Sequence, residues 1–273
     1  MPEKPEVITV VNSLVPKVVG KRITGCNVYW DNIIAYPTTD KFKKEIINQK
    51  INDIKTRGKF IVMELDDYSL LCHLRMEGKF FFRKVGEPLN KHEHVELILD
   101  DSISFRFHDV RKFGKMYLLN KEDTYKVKPL VELGLEYNDS NLTKEYLYEK
   151  IHNKKLPIKT VLLDQSIITG IGNIYDDEVL FMSGIDPNRK ACDITKNECG
   201  KIIENTQIVL DKAIEKGGTT IKSFTSSEGV HGLFQHELLV HGKAGSKCPK
   251  CGNVIEKTRI GGRGTHYCKK CQK

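Results

Sequence analysis

No run of apolar residues in this chain approaches the length of a membrane span. The N-terminal segment Met1–Glu6 also lacks the apolar core of a signal peptide, so we expect a protein that stays in the cytoplasm. Low-complexity tracts and repeats of fixed period are absent. No cluster of acidic residues has the pattern of a Mg²⁺ site, because Asp176-Asp177-Glu178 falls within one helical turn and is interpreted as a solvated face. These absences disfavour membrane proteins, repeat proteins and metal-dependent nucleases.

The excess of basic over acidic residues lies entirely at the end of the chain, and residues 1–240 are formally neutral. The net charge is +8, and residues 241–273 alone hold nine Lys or Arg against one acidic residue, Glu256. The same segment contains Cys248-Pro-Lys-Cys251 and Cys268-Lys-Lys-Cys271, separated by sixteen residues, a spacing typical of a zinc ribbon with four thiolate ligands. We predict one structural Zn²⁺, since four protein ligands leave no position for a reactive water. The basic surroundings indicate a polyanionic partner, with nucleic acid as the leading candidate.

The spacing of apolar residues changes twice along the chain. Residues 3–19 have a helical period, Ile23–Leu119 consists of short β-rich runs, and the period becomes helical again from Lys144 to Lys216. Regular short strands without intervening helices predict an antiparallel sandwich or barrel. The predicted divisions are a β domain at 1–120, a linker at 121–142, a helical domain at 143–240 and a zinc finger at 241–273.

Pro2 would be a secondary amine at the chain terminus if Met1 were removed. Its pKa would lie near the α-amino range of about 7.7 to 8.0, so much of it would be nucleophilic near neutral pH. Such an amine can attack an electrophilic sugar carbon and form a Schiff base, and Glu3 beside it could transfer the proton. The alternative is ordinary: Pro followed by Glu is common in the first turn of a helix.

Several loops combine cations with glycine or large apolar residues. Cations bind phosphate while apolar side chains insert between bases, and proteins that extrude a base need both. A helix that begins after two glycines can also receive a phosphate on its free backbone N–H groups. Each loop taken alone has an ordinary explanation as a hairpin end or a solvated turn. The segments are Thr56–Phe60, Leu74–Lys79, His108–Gly114, Gly170–Tyr175 and Gly261–His266.

Taken together, these motifs resemble bacterial formamidopyrimidine-DNA glycosylases, which repair oxidised purines. The resemblance runs from residue 2 to residue 273. It is carried by Pro2-Glu3 with Pro5-Glu6-Val7, His73–Lys79, Arg111-Lys112-Phe113-Gly114, Leu163-Asp164-Gln165, Gly170–Tyr175, Gly217-Gly218-Thr219-Thr220 and the cysteine segment ending at Lys273. It implies an α+β multidomain fold: an N-terminal antiparallel β-sandwich with flanking helices, a helix-two-turn-helix domain and a C-terminal zinc finger.

The resemblance also implies an activity and a set of site residues. Pro2 would be the Schiff-base nucleophile at C1′ and Glu3 the catalytic acid, with Lys59 and Arg263 assisting β- and δ-elimination. The DNA backbone would be held by His92, Arg111, Lys154 and Asn173, and the gap left by the extruded base would be filled by Met76, Arg111 and Phe113. A lesion-binding loop is expected at about Ser223–Phe234. The protein would then be a monomeric glycosylase and abasic-site lyase acting on duplex DNA that contains oxidised bases or abasic sites.

Three positions depart from the family pattern: Lys4 replaces the usual Leu, Ile8 a common Glu and Val110 a Pro. None of them removes a catalytic group. Two other functions remain open at this stage. One is an oxidised-pyrimidine glycosylase of the endonuclease VIII type, and the other is a zinc-ribbon DNA-binding protein without catalysis.

Overall fold

The computed structural model describes residues 1–219 and 232–273. The chain divides into two compact units. The β unit contains Met1–Pro2, Glu6–Val131, Thr219 and Gly232. The helical unit contains Glu3–Pro5, Glu132–Gly218 and Leu233–Lys273.

Helix α1 (Lys4–Val18) supplies one side of the β unit's core. Its apolar residues recur at helical spacing, and Val7, Leu14 and Val18 are fully buried. A second helix, α2 (Thr39–Ile46), buries Phe42 and Ile46 in the same core. The sequence patterns did not predict α2, because it is short and mostly charged.

Two sheets complete the β unit. The strands are β1 (Ile23–Val28), β2 (Ile34–Tyr36), β3 (Asp53–Arg57), β4 (Phe60–Glu64), β5 (Tyr68–His73), β6 (Lys79–Lys84), β7 (Glu93–Leu99), β8 (Ile103–His108) and β9 (Lys115–Asn120). One sheet has the order β1-β7-β8-β6 and the other the order β2-β9-β5-β4-β3. All pairs are antiparallel except β2 with β9, which is parallel. Apolar side chains from both sheets share the core with α1.

The helical unit is built from short helices around a long one. Its elements are β10 (Leu135–Glu136), α3 (Lys144–Ile151), α4 (Ile158–Leu162), β11 (Ile168–Thr169), α5 (Asn173–Ser183), α6 (Lys196–Glu215), β12 (Glu256–Ile260) and β13 (Arg263–Tyr267). The Thr143 side chain caps α3, and Thr195 forms a reciprocal capping box with Glu198 at α6. Strands β12 and β13 form an antiparallel hairpin within the cysteine segment. Among the described residues, no helix is long and apolar enough to cross a membrane.

Candidate active site

Glu3 lies at the N-terminus of α5. This helix begins after Gly172, which has no side chain to bond the free N–H groups of the first turn. The Glu3 carboxylate accepts hydrogen bonds from the backbone N–H of Ile174 (3.1 Å) and of Tyr175 (3.5 Å). A residue from the start of the chain therefore caps this helix, and the helix dipole favours the ionised carboxylate.

The two glycines before α5 allow this approach. A Cβ built on Gly172 would overlap the Glu3 carboxyl carbon, and one on Gly170 would lie 2.8 Å from the Lys4 Cβ. Gly170 also has a φ of 95°, which side-chain-bearing residues rarely adopt. The interpretation of this helix start as a phosphate site was wrong for Ile174 and Tyr175, since the N–H groups of both bind Glu3.

The three acidic residues that follow on α5 are buried. Asp176, Asp177 and Glu178 expose no more than 2% of their surface, so their interpretation as a solvated face was wrong. Periodicity alone missed this burial, because the partners lie far along the chain. Glu178 accepts hydrogen bonds from three consecutive N–H groups, those of Leu239 (2.7 Å), Val240 (3.0 Å) and His241 (2.8 Å).

The Asp177 carboxylate contacts the Lys159 ammonium and two imidazoles. Its Oδ1 lies 2.5 Å from the buried Lys159 Nζ, and its Oδ2 lies 2.7 Å from His241 Nδ1 and 3.3 Å from His266 Nδ1. Burial alone would raise the pKa of Asp177, but these hydrogen bonds and the Lys159 charge outweigh it and lower the pKa to about 2. Because His266 lies on β13, the Asp177 carboxylate joins α5 to the hairpin that bears Arg263.

Arg263 is exposed at the start of β13. The Asn173 side chain donates from Nδ2 to the carbonyl of Gly264 (3.1 Å), so Asn173 lies beside the same hairpin. Its Oδ1 is buried without a hydrogen-bond partner among the described residues. Within the helical unit, the structure therefore brings together Glu3, Asn173 and the backbone next to Arg263. Lys154 is exposed in the turn after α3.

In the β unit, Lys59 is buried in the turn between β3 and β4, and His73 ends the neighbouring strand β5. Burial, together with the charges of Arg75 and Lys59, lowers the pKa of His73 to about 3, so the imidazole is neutral. Its Nδ1 accepts the backbone N–H of Arg75 at 3.0 Å. Arg75 has a φ of 53°, an uncommon conformation that this bond supports, and half-buried Met76 follows it.

Asp109 organises the loop that bears Arg111 and Phe113. Its carboxylate accepts hydrogen bonds from three backbone N–H groups, those of Arg111 (3.0 Å), Phe113 (2.8 Å) and Gly114 (2.7 Å). The guanidinium of Arg111 lies 4.8 Å from the centre of the Phe113 ring, and Phe113 is 50% exposed. The Asp109 N–H donates to the carbonyl of His92 (2.9 Å), which brings His92 to the same loop. The role of Asp109 as the acceptor of these loop N–H groups was not predicted from the sequence.

Three family models match successive parts of the chain. The N-terminal domain of formamidopyrimidine-DNA glycosylase matches residues 1–116, its H2TH domain residues 133–225, and the zinc finger found in FPG and IleRS residues 245–273. The chain belongs to the formamidopyrimidine-DNA glycosylase family. The fold class predicted from the sequence is thereby confirmed.

Relatives and solved structures of this family match over the full length. The formamidopyrimidine-DNA glycosylases of Bacillus cereus (strain ATCC 10987) and Geobacillus kaustophilus (strain HTA426) are 44% and 40% identical, covering all of this chain and 99% and 100% of the relatives. The Lactococcus lactis Fpg in complex with DNA containing an abasic site aligns with a TM-score of 0.92 at 33% identity, with both chains fully covered. The wild-type enzyme with N7-benzyl-Fapy-dG DNA gives 0.92 at 34%, again with full coverage.

The family's zinc finger is formed here by four cysteines whose sulfur atoms all lie within 4.8 Å of one another. The Sγ atoms of Cys248 and Cys271 are 3.9 Å apart, and those of Cys251 and Cys268 are 3.6 Å apart. Tetrahedral Zn²⁺ with Zn–S bonds of about 2.3 Å requires sulfur atoms roughly 3.8 Å apart, so the four side chains fit the metal. The site holds one structural Zn²⁺, as predicted from the spacing.

The Lys4 departure from the family pattern is neutralised locally. Its ammonium lies 3.1 Å from the Glu136 carboxylate and is almost entirely buried, and its backbone N–H donates to Gly170 O (3.2 Å). Val110 is exposed, at 49%, in the loop that Asp109 organises.

The expected lesion loop falls mostly in residues 220–231, outside the described residues. Thr219 is the last described residue before this segment, and its N–H (2.8 Å) and hydroxyl (3.1 Å) donate hydrogen bonds to Glu6.

Replacing Gly172 with Ala should displace Glu3 and destabilise the protein by roughly 1–3 kcal/mol, because the new methyl group overlaps the Glu3 carboxyl. Gly200→Ala is the matched control, since its Cβ would meet only Lys144 side-chain atoms at 3.8 and 3.9 Å inside α6. The control should be neutral or stabilising by about 0.5–1 kcal/mol. Urea unfolding measures both variants. Equal stability of the two would show that Glu3 does not pack on Gly172.

Asp109→Asn should loosen the loop at residues 109–114, because an amide group cannot accept all three N–H hydrogen bonds. We expect hydrogen exchange at the Phe113 and Gly114 amides to accelerate about tenfold or more, equivalent to roughly 1.4 kcal/mol or more of local stability. Asp101→Asn, which removes an exposed carboxylate paired with Lys21, is the control and should leave these amides unchanged. Unchanged exchange in the Asp109 variant would contradict the assignment of Asp109 as the residue that organises this loop.

Proposed function

We propose that this protein excises oxidised purines, mainly 8-oxoguanine and formamidopyrimidines, from duplex DNA and then cleaves the strand by β,δ-elimination in base excision repair. The observation that carries the proposal is the position of Glu3, which is fixed at the α5 N-terminus and adjoins Pro2 in the chain. Full-length identity of 40–44% to proteins named formamidopyrimidine-DNA glycosylase supports the same activity. So do the structural matches to Lactococcus lactis complexes with abasic-site and Fapy-dG DNA.

In the proposed mechanism, removal of Met1 frees the Pro2 nitrogen, which attacks C1′ of the damaged nucleotide. The C1′–N bond to the base breaks, and the base leaves with a proton. Glu3 protonates the sugar ring oxygen as the ring opens, and the C1′–Pro2 iminium remains. The iminium acidifies the neighbouring C–H bond, so that successive eliminations expel the 3′ and then the 5′ phosphate. Lys59 and Arg263 assist these two steps and contact phosphate.

DNA binding uses groups from both units. Arg111, Phe113 and Met76 fill the space left by the extruded base, which partly offsets an unstacking cost of a few kcal/mol. His92, Arg111, Lys154 and Asn173 hold the phosphate backbone. The basic zinc finger adds a second electrostatic contribution, since nine of its residues are Lys or Arg.

The protein is proposed to act as a monomer on duplex DNA in the cytoplasm. The reduced state of the cytoplasm suits the four zinc ligands, and the four other cysteines are free thiols.

A panel of lesions tests the substrate class. Duplexes carrying 8-oxoguanine or a formamidopyrimidine should be cleaved at least tenfold faster than a duplex carrying an oxidised thymine, under single-turnover conditions. An undamaged duplex of the same sequence is the control. Preference for the oxidised thymine would favour the endonuclease VIII type of activity, and absence of cleavage on every duplex would favour a non-catalytic DNA-binding protein.

A further inference from the structure

Asp176 differs from its two acidic neighbours on α5. Asp177 and Glu178 bind cations, imidazoles and backbone N–H groups, whereas both carboxyl oxygens of Asp176 lack a hydrogen-bond partner among the described residues. Asp176 is nevertheless fully buried. A buried carboxylate without hydrogen bonds is costly, so its presence calls for a physical explanation.

The charged groups facing Asp176 are Glu3, Asp177 and Lys159. The Lys159 ammonium lies 3.6 Å from Asp176 Oδ2 but only 2.5 Å from Asp177 Oδ1, so most of its charge is used by Asp177. The two imidazoles in this cluster, those of His241 and His266, also contact Asp177. The buried Lys159 ammonium therefore lies between two buried carboxyl groups, and it is closer to that of Asp177 than to that of Asp176.

Helix geometry places Asp176 next to Glu3. The Asp176 N–H bonds to the Gly172 carbonyl (2.9 Å), so the two residues are one turn apart on the same face of α5. The Glu3 carboxyl packs against Gly172 and binds the N–H groups of Ile174 and Tyr175. Burial raises the pKa of Asp176 to about 8, with the charges of Asp177 and Glu3 adding to the rise and that of Lys159 opposing it.

We propose that Glu3 and Asp176 titrate as a coupled pair that holds one proton, and that Asp176 is a positioning residue that keeps an acidic proton available to Glu3 at neutral pH. The inference rests on the proposed function, in which Glu3 is the acid. The N–H groups of α5 favour ionised Glu3, whereas Lys159 favours ionised Asp176, so the two positions of the proton are close in free energy. Without Asp176, Glu3 at a helix N-terminus would lose its proton well below neutral pH.

The pH dependence of single-turnover 8-oxoguanine excision tests the proposal. In the wild type, activity should be retained up to the pH at which the pair loses its last proton and should then fall. In Asp176→Asn, a neutral isostere, Glu3 titrates alone, and the alkaline fall should shift by about one pH unit or more to lower pH. Asp40→Asn, which removes one exposed carboxylate from α2, should superimpose on the wild type. Superimposable profiles of the wild type and Asp176→Asn would overturn the proposal.

A second measurement needs no DNA. Infrared spectroscopy of the full-length protein at pH 7 should show the absorption of a buried protonated carboxyl group, which disappears as pH rises through about 8. The band should be absent in Asp176→Asn. In Glu3→Gln the band should disappear at lower pH, because the shared proton has lost its second site. A band that titrates identically in the wild type and Glu3→Gln would overturn the sharing of the proton.

The two measurements separate the proposal from the function on which it rests. If the protein cleaves no lesion-containing duplex, the proposed function fails, while the infrared titration still decides whether Glu3 and Asp176 share a proton. If excision occurs but neither the pH profile nor the infrared band depends on Asp176, only the shared proton is refuted.

Discussion

The Glu3 carboxylate occupies the N-terminus of α5, and the proposed site depends on this interaction. The helix has no capping side chain of its own. Two N–H groups of its first turn instead donate hydrogen bonds to a carboxylate from the beginning of the chain. Glycines at 170 and 172 leave room for the approach. Because Pro2 precedes Glu3 directly, the same hydrogen bonds restrict where the proposed amine nucleophile would lie once Met1 was removed.

The three consecutive acidic residues of α5 differ in what their carboxyl groups bind. Glu178 binds the backbone that leads into the zinc finger, and Asp177 binds His266 on the hairpin that bears Arg263. Asp176 is the remaining carboxyl, the one facing Glu3 without a hydrogen bond. The buried carboxylates of α5 bind the zinc finger, and the N-terminus of the same helix binds Glu3, the proposed acid. The zinc is structural, because its four cysteine ligands leave no position for a reactive water.

Much of the molecule could be predicted from the sequence. Cysteine spacing predicted the metal site, helical periodicity predicted helices between Lys144 and Lys216, where α3 to α6 lie, and the short β-rich runs predicted the β-sandwich. Local patterns failed where tertiary partners decide. Nothing near Asp176 in the sequence signals its burial, since Lys159 and the residues packed around it are brought in by folding. The charged helix α2 was likewise missed, because it has few apolar residues and is stabilised by burying Phe42 and Ile46 in the core.

In the proposed mechanism, the amine of Pro2, next to Glu3 in the chain, forms the covalent intermediate. Borohydride reduction in the presence of abasic-site DNA, followed by proteolysis and mass spectrometry, tests it most directly. We expect the reduced adduct to map to the nitrogen of Pro2 in a chain that has lost Met1. An adduct on a lysine side chain, or full activity in a chain that retains Met1, would contradict it.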